Sequence, residues 1–188
     1  KKIIDGSAVK KGDIIIGLSS NGLHTNGYSL AIKVLLEHTK LKLEDKPKGL
    51  GCSLKDELLK VHTSYLRPVS EIMDKFSVKA MVHITGSGLI GNIPRILPND
   101  VSVELDKKNW KVNAIFSLIQ KSGNIDDDEM YRVFNMGIGF IIIVDKNVVR
   151  GILKILSKYS FKCQVIGKVV SGNRKVIFND QINCKKTE

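Results

Sequence analysis

The chain has 188 residues, of which 43% are hydrophobic, so it can form one domain with a buried core. Its longest apolar run, residues 138–144, is too short to cross a bilayer, and its first residues lack the apolar segment of a signal peptide. Three widely separated cysteines predict neither a disulfide framework nor a zinc site. We therefore expect a cytoplasmic protein with no metal site and no membrane partner.

The formal net charge of +11 raises the question of nucleic-acid binding, because lysines near phosphates release counterions. The lysines are scattered from Lys1 to Lys186, arginines are few, and no series of aromatic residues is interleaved with them. We therefore expect no nucleic-acid partner. Solvated lysine faces that help to attract anionic substrates account for the charge.

The hydrophobic pattern alternates unevenly between strand and helix periods along the chain. Strands are predicted at residues 13–19, 78–84, 101–105, 137–144, 163–170 and 175–178. Helices are predicted at residues 28–37, 54–61, 65–75, 89–97, 112–121 and 148–159. Because the two kinds of element intermix, we expect an α+β fold in which a mixed sheet is covered by helices.

A polar loop follows the first predicted strand and leads into the first predicted helix. It contains Ser20, Asn21, Gly22, His24, Thr25, Asn26 and Gly27. Glycines allow unusual backbone conformations, and a helix start offers free N–H groups to an oxyanion. A plain turn with a helix cap is the alternative interpretation of the same pattern.

A second glycine-rich loop, Gly86-Ser87-Gly88-Leu89-Ile90-Gly91, matches the dinucleotide pattern GxGxxG and is followed by Asp106 about 20 residues later. Pro94 and Pro98 leave little room for a crossover helix, and residues 101–105 alternate in polarity, so a Rossmann fold is disfavoured. The loop can still hold a phosphate through Thr85, Ser87 and backbone N–H groups. Asn92 and Arg95 share a helix face and are candidate ligand contacts or ordinary surface residues.

A third polar segment, residues 129–139, places Asn135 directly before Gly137 and Gly139, where crowding against a ligand or against another strand is expected. The acids at 126–128 favour a helix start over a magnesium site. His24 and His83 adjoin the glycine-rich loops and could contact phosphate or carry a proton, although structural histidines are the commoner class. The chain contains no motif for a covalent nucleophile.

Taken together, the three loops resemble one family, the phosphoribosylformylglycinamidine cyclo-ligases, also called aminoimidazole ribonucleotide synthetases. The similarity is collinear from about Ile4 to Val170 and includes Gly12-Asp13 and Trp110. It implies that residues 1–188 form a single carboxyl-terminal domain, and that the domain carrying most of the ATP site is absent from this chain.

The resemblance implies a ligase of purine biosynthesis that uses ATP and Mg²⁺ to close the imidazole ring of formylglycinamidine ribonucleotide. It also implies a homodimer built largely through the absent amino-terminal domain. That domain is expected to be the partner of this chain within one protein. The fragment alone is expected to be inactive. Positioning and charge stabilisation supply most of the catalysis in such a reaction.

Carried over by position, the resemblance gives His24 the catalytic role. It also implies that the first loop, the second loop with the helix after it, and the third segment contact the substrate or its phosphate. The residues are Ser20, Asn21, Gly22, Thr25, Asn26, Thr85, Gly86, Ser87, Gly88, Asn92, Arg95 and Asn135. No metal ligand is implied among them, because ATP and Mg²⁺ belong mainly to the absent domain.

This chain departs from the family pattern at three places. It has Asn21 and Thr25 where serines are usual, and Ser87 where a run of three glycines is usual. The family's Pro-Thr-Arg appears here as Val61-His62-Thr63, which removes a basic side chain that His62 replaces in part. Related ATP-dependent enzymes of hydrogenase maturation, selenophosphate synthesis, thiamine phosphate phosphorylation and formylglycinamidine ribonucleotide synthesis remain alternatives, as does a non-catalytic domain that binds a phosphorylated ligand.

Overall fold

The computed structural model describes residues 3–179 and contains six strands in one mixed sheet. The strands are β1 Ile14–Ser19, β2 Ala80–His83, β3 Val101–Asp106, β4 Ile138–Val144, β5 Cys163–Ser171 and β6 Val176–Asn179. Their order in the sheet is β2-β4-β1-β5-β3-β6. Every neighbouring pair is antiparallel except β3 with β6, which is parallel. The predicted α+β class with a mixed sheet is therefore confirmed.

Within the described part of the chain, seven α-helices cover this sheet. They are α1 Tyr28–Ile32, α2 Leu54–Leu58, α3 Leu66–Lys75, α4 Gly88–Asn92, α5 Ala114–Gly123, α6 Asp127–Val133 and α7 Val149–Leu156. A π-helix, Lys33–His38, continues α1, and short 3₁₀ turns lie at Ile93–Ile96, Lys107–Asn109 and Lys146–Val148. Within residues 3–179, no helix has both the length and the apolar composition needed to cross a membrane.

Alternating side chains of the central strands fill two apolar layers, one on each face of the sheet. In β1, Ile15 packs with the layer under α1, α4, α5 and α6, whereas Ile16 packs with the layer under α3 and α7. In β4, Ile141 and Ile142 divide between the layers in the same way. A strand whose successive side chains point to opposite faces must be apolar throughout when both faces are covered, which explains the continuous apolar runs.

The clearest differences from the helix predictions lie at α2 and α6. The helix predicted at 54–61 ends at Leu58, because the following segment is held elsewhere: the Asn21 side-chain amide donates to the Val61 carbonyl at 2.7 Å. Leu59 and Val61 are consequently exposed. Helix α6 was not predicted, because it is only seven residues long and buries little more than Met130 and Tyr131. Its first turn carries Asp127, Asp128 and Glu129, which complement the helix dipole.

The topology also explains why the GxGxxG segment is no dinucleotide unit. Strand β2 lies at one edge of the sheet and pairs only with β4, whereas β3 lies four places away. A Rossmann unit needs two neighbouring parallel strands joined by the helix. The sequence argument against that fold is therefore confirmed.

Candidate functional site

The first polar loop leaves β1 and is held in place by one buried amide, that of Asn135. Its Oδ1 accepts from Ser20 Oγ at 2.7 Å and from the Gly137 N–H at 2.9 Å. Its Nδ2 donates to the carbonyls of Gly22 and Leu23, at 2.9 and 3.2 Å. Asn135 is fully buried, so these four bonds satisfy a side chain that would otherwise be costly to bury. The structure thus brings the first and third polar segments together.

His24 occupies the middle of this loop with a left-handed backbone, at φ 63°, and is 5% exposed. The Asn21 N–H donates to its Nε2 at 3.3 Å. Two buried side-chain atoms of the described residues have no hydrogen-bond partner, and both belong to this loop: His24 Nδ1 and Asn21 Oδ1. Buried polar atoms without partners are rare, and these two mark a place where a water or a ligand can complete the bonding.

Gly139 makes room for the His24 ring. A Cβ at Gly139 would lie 2.1 Å from the Tyr65 hydroxyl and 2.6 Å from His24 Cε1. The Tyr65 hydroxyl donates to the Ser19 carbonyl at 2.8 Å, which keeps that ring beside the loop. The crowding expected at Gly139 is therefore real, and the neighbours are side chains of the candidate site.

His62 and His83 extend a cluster outward from His24. The rings of His24 and His62 stack with centroids 3.9 Å apart, and the His62 and His83 centroids are 5.1 Å apart. Burial lowers the pKa of His24 to about 4, and the neighbouring imidazoles of His62 and His83 add to the shift. Burial, followed by the proximity of His83, also lowers the pKa of His62. His24 is therefore neutral at physiological pH.

The second loop lies next to the first. A Cβ built on Gly86 would lie 4.0 Å from Asn26 Cβ, and the Asn26 amide donates to the Val133 carbonyl at 3.0 Å. Gly88 has φ 57°, and any side chain there would meet the Tyr131 carbonyl oxygen at 2.1 Å. The loop can therefore pack against α6 only with glycine at position 88.

The helix after the second loop stabilises it from behind. Asn92 is buried, donates to the Gly88 carbonyl at 2.7 Å and accepts from Thr85 Oγ1 at 3.0 Å. Arg95 Nη2 donates to Ser87 Oγ at 2.9 Å and is exposed. Asn92 is thus a structural support, whereas Arg95 brings a positive charge to the exposed edge of the loop.

A cleft of about 520 Å³ opens beside the first loop. Its lining combines hydroxyl and amide groups with positive charge, at Ser19, Ser20, Asn21, Leu50, Glu57, Lys60, Thr63, Lys111, Val112, Asn113, Ala114, Ser160, Phe161 and Lys162. The Asn113 amide donates to the Ser20 carbonyl at 3.3 Å. Lys60 is paired with Glu57, whereas Lys111 and Lys162 leave net positive charge on the cleft, which favours an anionic ligand. Thr85, Gly86, Ser87 and Gly88 do not line this cleft, so the two loops are adjacent without sharing it.

Sequence reasoning missed Glu57 and gave His62 only a weak claim. Glu57 is 3% exposed and forms an ion pair with Lys60 at 2.5 Å, at the end of the cleft. Neither residue belongs to a glycine-rich motif. Glu57 gave no signal, because it stands beside Lys55 and Asp56 in a helix with three charged residues of five. The available signal for His62 was the departure from the family pattern at that position.

The described residues do not fit Mg²⁺. Among residues 3–179, the one group of three or more possible metal-ligating side chains is His24, His62 and His83, and Mg²⁺ prefers oxygen ligands. Asp127 accepts instead from Gln120 Nε2, at 2.6 Å, and pairs with Lys107. The acids at 126–128 therefore serve the start of α6.

Residues 10–179 match the family described as "AIR synthase related protein, C-terminal domain". The chain belongs to this family. It is 47% identical over 179 residues to the phosphoribosylformylglycinamidine cyclo-ligase of Carboxydothermus hydrogenoformans, covering 95% of this chain and 52% of that protein. It is 46% identical over 177 residues to the cyclo-ligase of Thermodesulfovibrio yellowstonii, covering 94% and 52%. The resemblance found from the motifs is confirmed, and the chain spans about half the length of these curated relatives.

A solved structure shows the AIR synthase related fold at lower identity. The thiamine-monophosphate kinase from Stenotrophomonas maltophilia superposes with a TM-score of 0.62 at 14% identity, covering 94% of this chain and 52% of that one. Identity this low supports the fold alone.

Proposed function

We propose that this chain supplies the carboxyl-terminal half of a site that closes formylglycinamidine ribonucleotide to aminoimidazole ribonucleotide, with ATP converted to ADP and phosphate. The observation that carries the proposal is the 47% identity to a cyclo-ligase over 95% of the chain. The folding of both polar loops and Asn135 into one region supports it. The chain is a ligase half that works in purine biosynthesis in the cytoplasm.

The proposed chemistry balances without a covalent enzyme intermediate. The formyl oxygen takes the γ-phosphoryl group of ATP and ADP leaves. The amidine nitrogen then forms a bond to the formyl carbon and loses its proton to water, while the phosphorylated oxygen leaves as phosphate. Such a reaction depends on holding the nitrogen and the carbon in contact and on balancing phosphate charge. These tasks match the side chains available here.

His24 is proposed to orient the attacking amidine nitrogen. Its ring is neutral near pH 7, so it can hydrogen-bond the nitrogen of the neutral amidine, which is the form that attacks. The 3.3 Å bond from the Asn21 N–H is long and can give way to substrate. Asn21 contacts this ring directly, and Ser20, Gly22, Thr25 and Asn26 of the same loop are proposed to contact the substrate.

The second loop is proposed to hold phosphate. Gly86 is exposed and has open space around its Cα, so an oxyanion can approach the backbone there. Ser87 offers a hydroxyl, Thr85 lies on the same loop, and Arg95 adds positive charge through its bond to Ser87. The lysines of the cleft beside Ser20 raise the local concentration of the anionic substrate.

ATP is proposed to bind mainly to a further domain, which also carries Mg²⁺ and forms a homodimer. Because the described residues do not fit Mg²⁺, no step assigned to this chain depends on that ion. Residues 1–188 are proposed to act as a single domain.

The test joins this chain to the amino-terminal half of the Carboxydothermus cyclo-ligase and measures ATP-dependent formation of aminoimidazole ribonucleotide. His24→Ala and Thr85→Ala should each lower turnover at least tenfold with folding intact. The matched control Thr39→Ala, on the exposed end of the π-helix, should leave turnover unchanged. Full activity in both site variants would refute the residue roles. Weak ribonucleotide binding without turnover would favour a non-catalytic binding domain.

A further inference from the structure

Three of the four histidines of the chain converge at one place, although they come from three separate segments. His24 lies in the loop after β1, His62 lies between α2 and α3, and His83 ends the edge strand β2. We propose that these imidazoles form a binding site for a divalent transition metal of the zinc class. This site goes beyond ring closure and needs neither ATP nor the ribonucleotide.

The distances are close to those of a metal centre. One ligand atom from each histidine lies within 4.8 Å of the others. A zinc–nitrogen bond of about 2.0–2.1 Å in a tetrahedral site sets neighbouring nitrogens about 3.3 Å apart. The rings must therefore approach by about 1.5 Å at most. The His62 ring must also turn out of its stack on His24, because a metal lies in the plane of each imidazole that binds it and two stacked rings share no such plane. His62 is half-buried and His83 is exposed, so both have room to turn, while His24 is fixed.

His24 also carries the observation that points to a ligand. Its Nδ1 is buried and has no hydrogen-bond partner, and His24 as a whole is only 5% exposed. A metal bond at Nδ1 would satisfy that atom and place the ring proton on Nε2, which breaks the 3.3 Å bond that Nε2 accepts from the Asn21 N–H. Asn21 Oδ1, the second buried atom without a partner, is an acceptor available in the same loop.

The ligand chemistry selects the metal. Three neutral imidazoles with no carboxylate suit Zn²⁺, Co²⁺, Ni²⁺ or Cu²⁺ and disfavour Mg²⁺ and Ca²⁺. Three protein ligands leave a fourth position, which is the arrangement of an open zinc site. A cavity of about 540 Å³ lies beside two of the three ligands and is lined by His62, His83, Tyr65 and Phe140, which gives space for a water or an anion.

The resemblance described above implies that a threonine is usual in the family where this chain has His62. The site should therefore be absent from cyclo-ligases with that threonine, and His62→Thr is a variant that the fold is expected to accept. His38 is exposed, lies on the π-helix outside the cluster, and provides the matched control.

The experiment titrates the full 188-residue chain with Zn²⁺ in competition with a chromophoric chelator, without nucleotide. Co²⁺ is then used as a spectroscopic probe of the coordination geometry. The wild-type chain should bind one equivalent, and His62→Thr and His83→Ala should each weaken binding at least tenfold, while His38→Ala binds as the wild type does. Visible bands of four-coordinate Co²⁺ should appear in the wild-type chain and disappear in His62→Thr.

Equal Zn²⁺ affinity in the wild-type chain and both cluster variants would overturn the proposal, as would the absence of stoichiometric binding. Circular dichroism of the metal-free variants separates lost binding from lost folding, and a folded variant that still binds counts against the site. Because no substrate is present, failure here leaves the ring-closure proposal standing, and failure of ring closure leaves this site standing.

Discussion

Asn135 offers a direct test of how the first loop is positioned, through the nearly isosteric change Asn135→Asp. The new carboxylate can still accept from Ser20 Oγ and the Gly137 N–H. It cannot donate to the carbonyls of Gly22 and Leu23, which lose their bonds at 2.9 and 3.2 Å. The variant therefore removes the two donor bonds while retaining the two acceptor bonds.

The expected loss follows from burial. Leaving a buried polar group unsatisfied costs about 1–3 kcal/mol, so two carbonyls predict a decrease of about 2–6 kcal/mol in the free energy of unfolding. The buried carboxyl group should also have a pKa above its unfolded value, because burial and two carbonyl oxygens disfavour the charge. A raised folded-state pKa means that stability is retained below the unfolded pKa and is lost as pH rises toward the folded pKa.

Urea unfolding of the wild-type chain and of Asn135→Asp at pH 5 and pH 8 measures both effects. The free energy of unfolding of Asn135→Asp should fall further below that of the wild-type chain at pH 8 than at pH 5. Asn99→Asp introduces the same charge at an exposed position and should change stability by less than about 0.5 kcal/mol. Equal stability of the wild-type chain and Asn135→Asp at both pH values would refute the role given to Asn135.

Two further predictions concern His24 and its neighbours. Gly139→Ala should destabilise the fold by about 1–3 kcal/mol, because its Cβ would meet the Tyr65 hydroxyl and the His24 ring, whereas Gly86→Ala should retain full stability in urea and lower ribonucleotide affinity. Equal urea midpoints for these two variants would contradict the packing described. In the folded chain the pKa of His24 is about 4, whereas in the unfolded chain it is about 6.5. The free energy of unfolding should therefore fall by at most about 3 kcal/mol as the pH drops from 6.5 to 4. His24→Asn, which suits the left-handed backbone at φ 63°, should reduce this dependence, and an unchanged pH profile would contradict it.

The strands were predictable from sequence because two covered faces require continuous apolar runs such as residues 138–144. Strand order was not predictable, since it depends on long-range pairing: β1 pairs with β4 and β5, which lie far along the chain. Helix α6 was not predicted, because seven residues with an acidic first turn show too little hydrophobic periodicity.

The loops of the candidate site were predictable as motifs, but their contacts were not. Glycine patterns marked residues 20–27 and 85–88, whereas only the fold shows Asn135 bonding to Gly22 or His62 stacking on His24. His62 has no local signal, because a histidine between two helices is usually an ordinary surface residue. Convergence of distant segments requires the topology as well as the residues.

The central claim is tested most directly by turnover of formylglycinamidine ribonucleotide. This chain is joined to the amino-terminal half of the Carboxydothermus cyclo-ligase, and the carboxyl-terminal half of the Thermodesulfovibrio cyclo-ligase is joined in the same way as the control. ATP-dependent aminoimidazole ribonucleotide from both hybrids, with no phosphorylation of thiamine monophosphate, is the predicted result. A folded hybrid of this chain that forms no product, beside an active control, would contradict the account.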